Sequence, residues 1–134
     1  MMLLTFAAAL AFTPTIPADI DVGQADWASF PRLETEDIAV PSGEMVGRVQ
    51  RLMQRGDCTF EGQRAQRFSI DINYAVRLDN AGNATQIVVQ DVGCRPLELM
   101  VGRIAADIVQ RGFVRTPPPA QPTTYSRRIN FNLS

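Results

Sequence analysis

The stretch FSIDINYAVRL, residues 68–78, decides how this chain folds. Phe68, Ile70, Ile72, Tyr74, Val76 and Leu78 alternate with Ser69, Asp71, Asn73, Ala75 and Arg77. Side chains of a strand point to opposite faces in turn, so this pattern predicts a long strand with one buried face. The strand runs into Asp79-Asn80-Ala81-Gly82-Asn83, residue types that tolerate the positive φ and side-chain turns of a hairpin. A second strand is expected through Gln86–Gln90, stopping near Gly93-Cys94-Arg95-Pro96, where Pro96 suits the first residue of a helix.

On the C-terminal side, Leu97, Met100, Val101, Ile104, Ala105, Ile108 and Val109 recur at threes and fours and predict an amphipathic helix ending at Gly112. The run Thr116-Pro117-Pro118-Pro119-Ala120-Gln121-Pro122 cannot continue a helix and reads as a stiff, extended connection. Tyr125, Ile129, Phe131 and Leu133 then alternate with Ser126, Arg128, Asn130 and Asn132, a third strand with Arg127 as a polar intruder on its apolar face. On the N-terminal side, Ser42 offers an N-cap to a short helix carrying Met45, Val49, Leu52 and Met53, closed by Gly56. Residues 19–41 show no sustained period and contain Pro31 and Pro41. They read as an extended arm from which Trp27 and Phe30 pack down on the rest.

At 134 residues, 46% of them apolar and 20% charged, the chain suits one folded domain. The formal net charge of −1 gives no reason to expect nucleic acid. Position matters more than the sum: residues 19–41 hold six acids and one arginine, residues 42–134 twelve arginines and eight acids. Either the acidic arm docks on its own basic domain or on a partner, or it is simply solvated.

There is no lysine or histidine to act as a general base, and no basic residue adjoins any of the five serines in a nucleophile pattern. Asp71 with Asp107, or Glu98 with Asp107, are the only acid pairs worth weighing, and both are expected on solvated faces. Phosphate cradles and metal-ligand spacings are absent from the sequence. The reading is a non-enzyme with no cofactor and no metal.

Leu3–Phe12 (LLTFAAALAF) is too short to span a bilayer, which needs about 20 apolar residues, and fits the apolar core of a secretory signal over residues 1–18. Export makes Cys58 and Cys94 informative, because a lone pair of cysteines in an oxidising compartment tends to close. A Cys58–Cys94 disulfide is expected, the rival being two free buried thiols; two cysteines without histidine do not make a structural zinc site.

Strand, Gly-bearing turn, strand, helix closed by Phe113 and Pro117, then YSRRINFNL at residues 125–133: this ordered set resembles the C-terminal domain of the TonB family over residues 68–133. Asp79 and Gly82 match the family's first turn, and Met100, Ile104, Ala105 and Ile108 its helix. The helix at 42–56 takes the place of the family's first helix, with a longer connection to Phe68. The resemblance implies an α+β domain over residues 42–134: a helix, a β-hairpin, a second helix and a closing strand, with a small three-stranded antiparallel sheet packed on two helices. It also implies a periplasmic protein whose terminal strand is an edge that takes up a short segment of an outer-membrane receptor by strand addition. Carried over, that strand is Tyr125, Ser126, Arg127, Arg128, Ile129, Asn130, Phe131 and Asn132.

The sequence departs from a full transducer in lacking a membrane-spanning helix and a long proline-rich spacer; an arm of 23 residues reaches at most about 80 Å. Two functions therefore stand side by side. One is a periplasmic protein-binding module working by strand addition, with a link to transport across the outer membrane. The other is a structural or accessory envelope protein whose sheet edge is closed by residues 19–41 or by self-association. Membrane contact is expected only if the leader is retained.

Overall fold

The strand signals at the centre of the sequence set the architecture. In a computed structural model, which describes residues 19–37, 40–58 and 67–133, β2 (Phe68–Leu78) and β3 (Ala84–Gln90) form the hairpin. Asp79 Oδ1 accepts from the amides of Ala81 and Asn83, and Gly82 takes φ 84°, so the turn is built by a side chain and a glycine together. β4 (Thr123–Leu133) runs antiparallel to β2 over its full length, from Phe68 opposite Leu133 to Leu78 opposite Thr123.

Two helices cover one face of this sheet. Ser42 caps α1 (Gly43–Gln54) by accepting from the Met45 amide, and Gly56 closes it at φ 75°. In α2 (Arg95–Gln110), Pro96 stands in the first turn and Gly112 follows at φ 74°. Tyr74, Phe131, Ile72, Leu78, Ile87, Leu97 and Val101 are fully buried between the two layers. The Cys58–Cys94 disulfide is present, with Cα atoms 5.3 Å apart, both residues buried, tying the end of α1 to the N-cap of α2.

The sheet differs from the expected three antiparallel strands: it has four, in the order β1-β3-β2-β4, and it is mixed. The fourth is β1 (Asp19–Gly23), taken from the segment read as an arm, and it pairs parallel to β3 from Asp19 opposite Gln86 to Gly23 opposite Gln90. Two apolar residues, Ile20 and Val22, are too few to stand out as a period, and a parallel partner more than 60 residues away leaves no local trace. What receives Ile20 is Gly102 on α2. An ideal Cβ there would overlap Ile20 Cγ2 and lie 3.0 Å from its Cδ1, so only glycine lets strand and helix come this close.

Beyond β1 the chain crosses the sheet and closes on its other edge. A 3-10 turn (Trp27–Ser29) lies against the face opposite the helices, where the Ser126 hydroxyl donates to the Trp27 carbonyl. Pro31–Leu33 then meet β4, and Leu33 is fully buried. The segment leaves the sheet to pair with the stretch after α2, through a Thr35–Val114 bridge and the amides of Arg115 and Thr116 on the Glu34 carbonyl. Among the described residues, no acid of this segment forms an ion pair with an arginine of residues 42–134; its one pair, Arg32–Glu34, is internal and exposed. Backbone pairing and apolar burial hold it down. The expected leader, residues 1–18, lies outside the described residues.

Candidate functional site

β4 is an edge strand, and the geometry of that edge is uneven. The Ser126 amide donates to the Pro31 carbonyl at 2.9 Å and its carbonyl accepts from the Leu33 amide at 2.8 Å, so both backbone groups of Ser126 point away from β2. Because these groups alternate sides along a strand, the odd residues Tyr125, Arg127, Ile129 and Phe131 bond to β2, and the even residues face outward. Ser126 is therefore occupied by the chain's own arm. Arg128, Asn130 and Asn132 are exposed, and among the described residues their outward amides and carbonyls have no backbone partner. The strand read from the sequence as an eight-residue pairing surface presents three residues that are both outward-facing and open.

The transition from closed to open falls at Arg127, the polar intruder on the apolar face. Its guanidinium Nη1 donates to the Leu33 carbonyl at 3.0 Å, taking the acceptor that would otherwise continue the pairing. From there the arm drops toward the helix layer and β4 continues alone. Between them lies a cleft of about 360 Å³ floored by Val40, Ile108 and Ile129, with Glu36, Arg115 and Arg127 among its walls. Tyr74, paired in register with Arg127, is fully buried, and its hydroxyl has no hydrogen-bond partner among the described residues. Burial pushes the Tyr74 phenol up to about 12, against the opposing pull of the Arg127 guanidinium.

On the other face of β4, Asn130 Nδ2 donates to Asp71 Oδ1 at 2.9 Å and to Ser69 Oγ at 3.0 Å, and the Arg128 guanidinium stands 4.0 Å from the same carboxylate. These contacts are exposed and weak, and all of them point to side chains of β2.

The acids weighed for catalysis do not come together. Asp71 lies on the open face of β2 and Asp107 on α2, across the sheet, where it pairs with Arg111 at 3.0 Å. Glu98 is buried at 3% exposure, and its Oε2 accepts from the amides of Val92 and Cys94, so it anchors the loop that enters α2. Among the described residues no group of three or more Asp, Glu or Cys side chains is placed to hold a metal, and no helix is long and apolar enough to cross a membrane.

A larger trough of about 850 Å³ runs between α1 and α2, floored by Met45, Leu99, Met100, Ile104 and Phe113. Size favours it as a binding site, but its polar rim is mostly self-satisfied, Arg48 by Glu44 and Arg111 by Asp107. The smaller cleft adjoins unpaired backbone, which is the stronger chemical invitation. Sequence reading missed the contribution of Glu34–Asp37 and Ile108 to it, because the arm carries no pattern that reports where it turns.

No family model matches this chain, and no curated protein or solved structure is significantly similar to it.

Proposed function

We propose that this chain is an exported protein-binding module of the TonB C-terminal type, which takes up an extended segment of an envelope partner along β4, with a role connected to transport across the outer membrane. The observation that carries this reading is the open rim at Arg128, Asn130 and Asn132, three residues whose outward backbone groups offer up to six hydrogen bonds to an incoming strand. The order of hairpin, helix and closing antiparallel strand, with that strand at the sheet edge, supports the TonB-like assignment. The buried Cys58–Cys94 disulfide supports an oxidising compartment such as the periplasm.

A second reading draws on a separate observation. Pro31–Leu33 already close β4 at Ser126, and a structural envelope protein would use its own arm in this way to blunt an edge. The two readings diverge at Asn130. Its amide points outward, so Asn130→Pro removes a donor from the rim without breaking a backbone bond to β2, at the loss of the exposed side-chain bonds to Asp71 and Ser69. A photo-crosslinking residue at position 128 in periplasmic cells is expected to capture an outer-membrane receptor, and Asn130→Pro in the same protein to abolish the capture while leaving Tm within a few degrees. Recovery of self-dimers alone, or capture indifferent to Asn130→Pro, overturns the binding reading in favour of the structural one.

A further inference from the structure

Resting on the strand-addition reading of β4, we infer that the recognised segment places a large aromatic side chain, tyrosine by preference, directly opposite Ile129. Register decides where that side chain falls. A strand laid against the open rim pairs with Arg128–Asn132, and its alternate side chains fall on the same faces as those of β4. Ile129 faces the helices, so the residue across from it points toward α2, into the cleft floored by Val40, Ile108 and Ile129. At about 360 Å³ that cleft is far larger than the ~30 Å³ share of one water in the liquid. Its floor is aliphatic and its walls carry both signs of charge, Glu34, Glu36 and Asp37 against Arg115 and Arg127. A phenol fits both parts: the ring covers the floor, and the hydroxyl finds a carboxylate to donate to or a guanidinium to accept from.

On the open face the position opposite Asn130 lies beside exposed side chains, with Asn130 Nδ2 bonded to Asp71, whereas the hollow of about 320 Å³ on that face lies at the arm, among Trp27, Phe30, Asn73 and Arg128. The segment is also short, because Pro31–Leu33 hold Ser126 and an antiparallel strand must stop at Arg128. Backbone bonds thus supply general affinity, and one pocket reads one side chain.

The test appends to the full chain, after Ser134, an Asn-Gly turn and a seven-residue strand able to fold back antiparallel along β4 as far as Arg128. Four versions carry Tyr or Ala opposite Ile129, or Tyr or Ala opposite Asn130, with threonine elsewhere. Tyr opposite Ile129 is expected to raise Tm by about 5 °C over its Ala version. Tyr opposite Asn130 is expected to add no more than about 1 °C over its own Ala version. NMR amide exchange of Arg128, Asn130 and Asn132 reports strand pairing itself. If those amides are protected and Tyr and Ala opposite Ile129 give the same Tm, the pocket inference is overturned and strand addition stands. Equal gains from Tyr at both positions overturn it as well. If no version protects the amides, strand addition fails, and the inference with it.

Discussion

Replacing Gly102 by alanine tests the least anticipated feature of the fold, the docking of β1 on α2. In an exposed helix interior, Gly→Ala stabilises by about 1 kcal/mol, because alanine has less backbone freedom to lose. Here the new methyl overlaps Ile20 Cγ2, with Ile20 Cδ1 and Cγ1 at 3.0 and 3.3 Å. The contact cannot be relieved cheaply, since Cγ2 is attached at the branched Cβ, close to the backbone of β1, and a β-branched side chain has little χ1 freedom. Overpacking of this kind costs about 1 to 3 kcal/mol. The net effect of Gly102→Ala is therefore destabilising by roughly 1 kcal/mol, or a fall in Tm of about 4 °C for a chain of this size. In an Ile20→Ala background the obstruction is gone and the same substitution is expected to stabilise by about 1 kcal/mol. The measurement is a double-mutant cycle by urea denaturation, with hydrogen exchange at Ile20–Gly23 showing whether β1 loosens selectively. If Gly102→Ala stabilises equally in both backgrounds, β1 does not pack on α2 at this point and the four-stranded sheet is wrong.

Burial holds the Tyr74 phenol at about 12, above its ordinary 10.0, so the folded state favours the neutral form. That preference is fully present below about pH 10 and is lost as pH climbs through 12, a decline of about 3 kcal/mol. Tyr74→Phe removes the decline, and because the hydroxyl lacks a partner among the described residues, stability at pH 7 is at least equal to that of the parent; alkaline denaturation curves of the two proteins check both points. Replacing Cys58 and Cys94 by serine opens a link spanning 36 residues and is expected to cost about 3 to 4 kcal/mol, read from the shift in urea midpoint. An unchanged midpoint would mean the bond does not form in solution. Glu98→Ala leaves the Val92 and Cys94 amides unpaired and is expected to cost about 2 to 4 kcal/mol, whereas Glu98→Gln, which retains an acceptor oxygen, costs less than half of that; equal losses would refute the anchoring role.

Much of the fold is legible residue by residue. The alternation from Phe68 to Leu78 matches β2 to the residue, Ser42 and Gly56 bracket α1, and Pro96 and Gly112 bracket α2. These features act within a few residues of themselves, through side-chain periodicity, capping and positive φ, so the sequence displays them directly. The candidate site is legible only as far as the strand that carries it. Nothing local to Arg127 says that its guanidinium ends the pairing of the arm with β4, and nothing in Glu34–Asp37 says that this segment walls a cleft.

The sequence by itself determined the two helices, the hairpin, the closing strand and the pair of cysteines that joins them, because each rests on a period or a short-range signal strong enough to outweigh competing local structures. Tertiary structure alone decided that Asp19–Gly23 would become a strand and that Ser126 would be closed while Arg128, Asn130 and Asn132 stay open. Those outcomes depend on groups far apart in the chain: Ile20 against the bare backbone of Gly102, Pro31 and Leu33 against Ser126, and Arg127 against the Leu33 carbonyl. The energy of each contact exists only once the sheet and helices have brought its partners within reach.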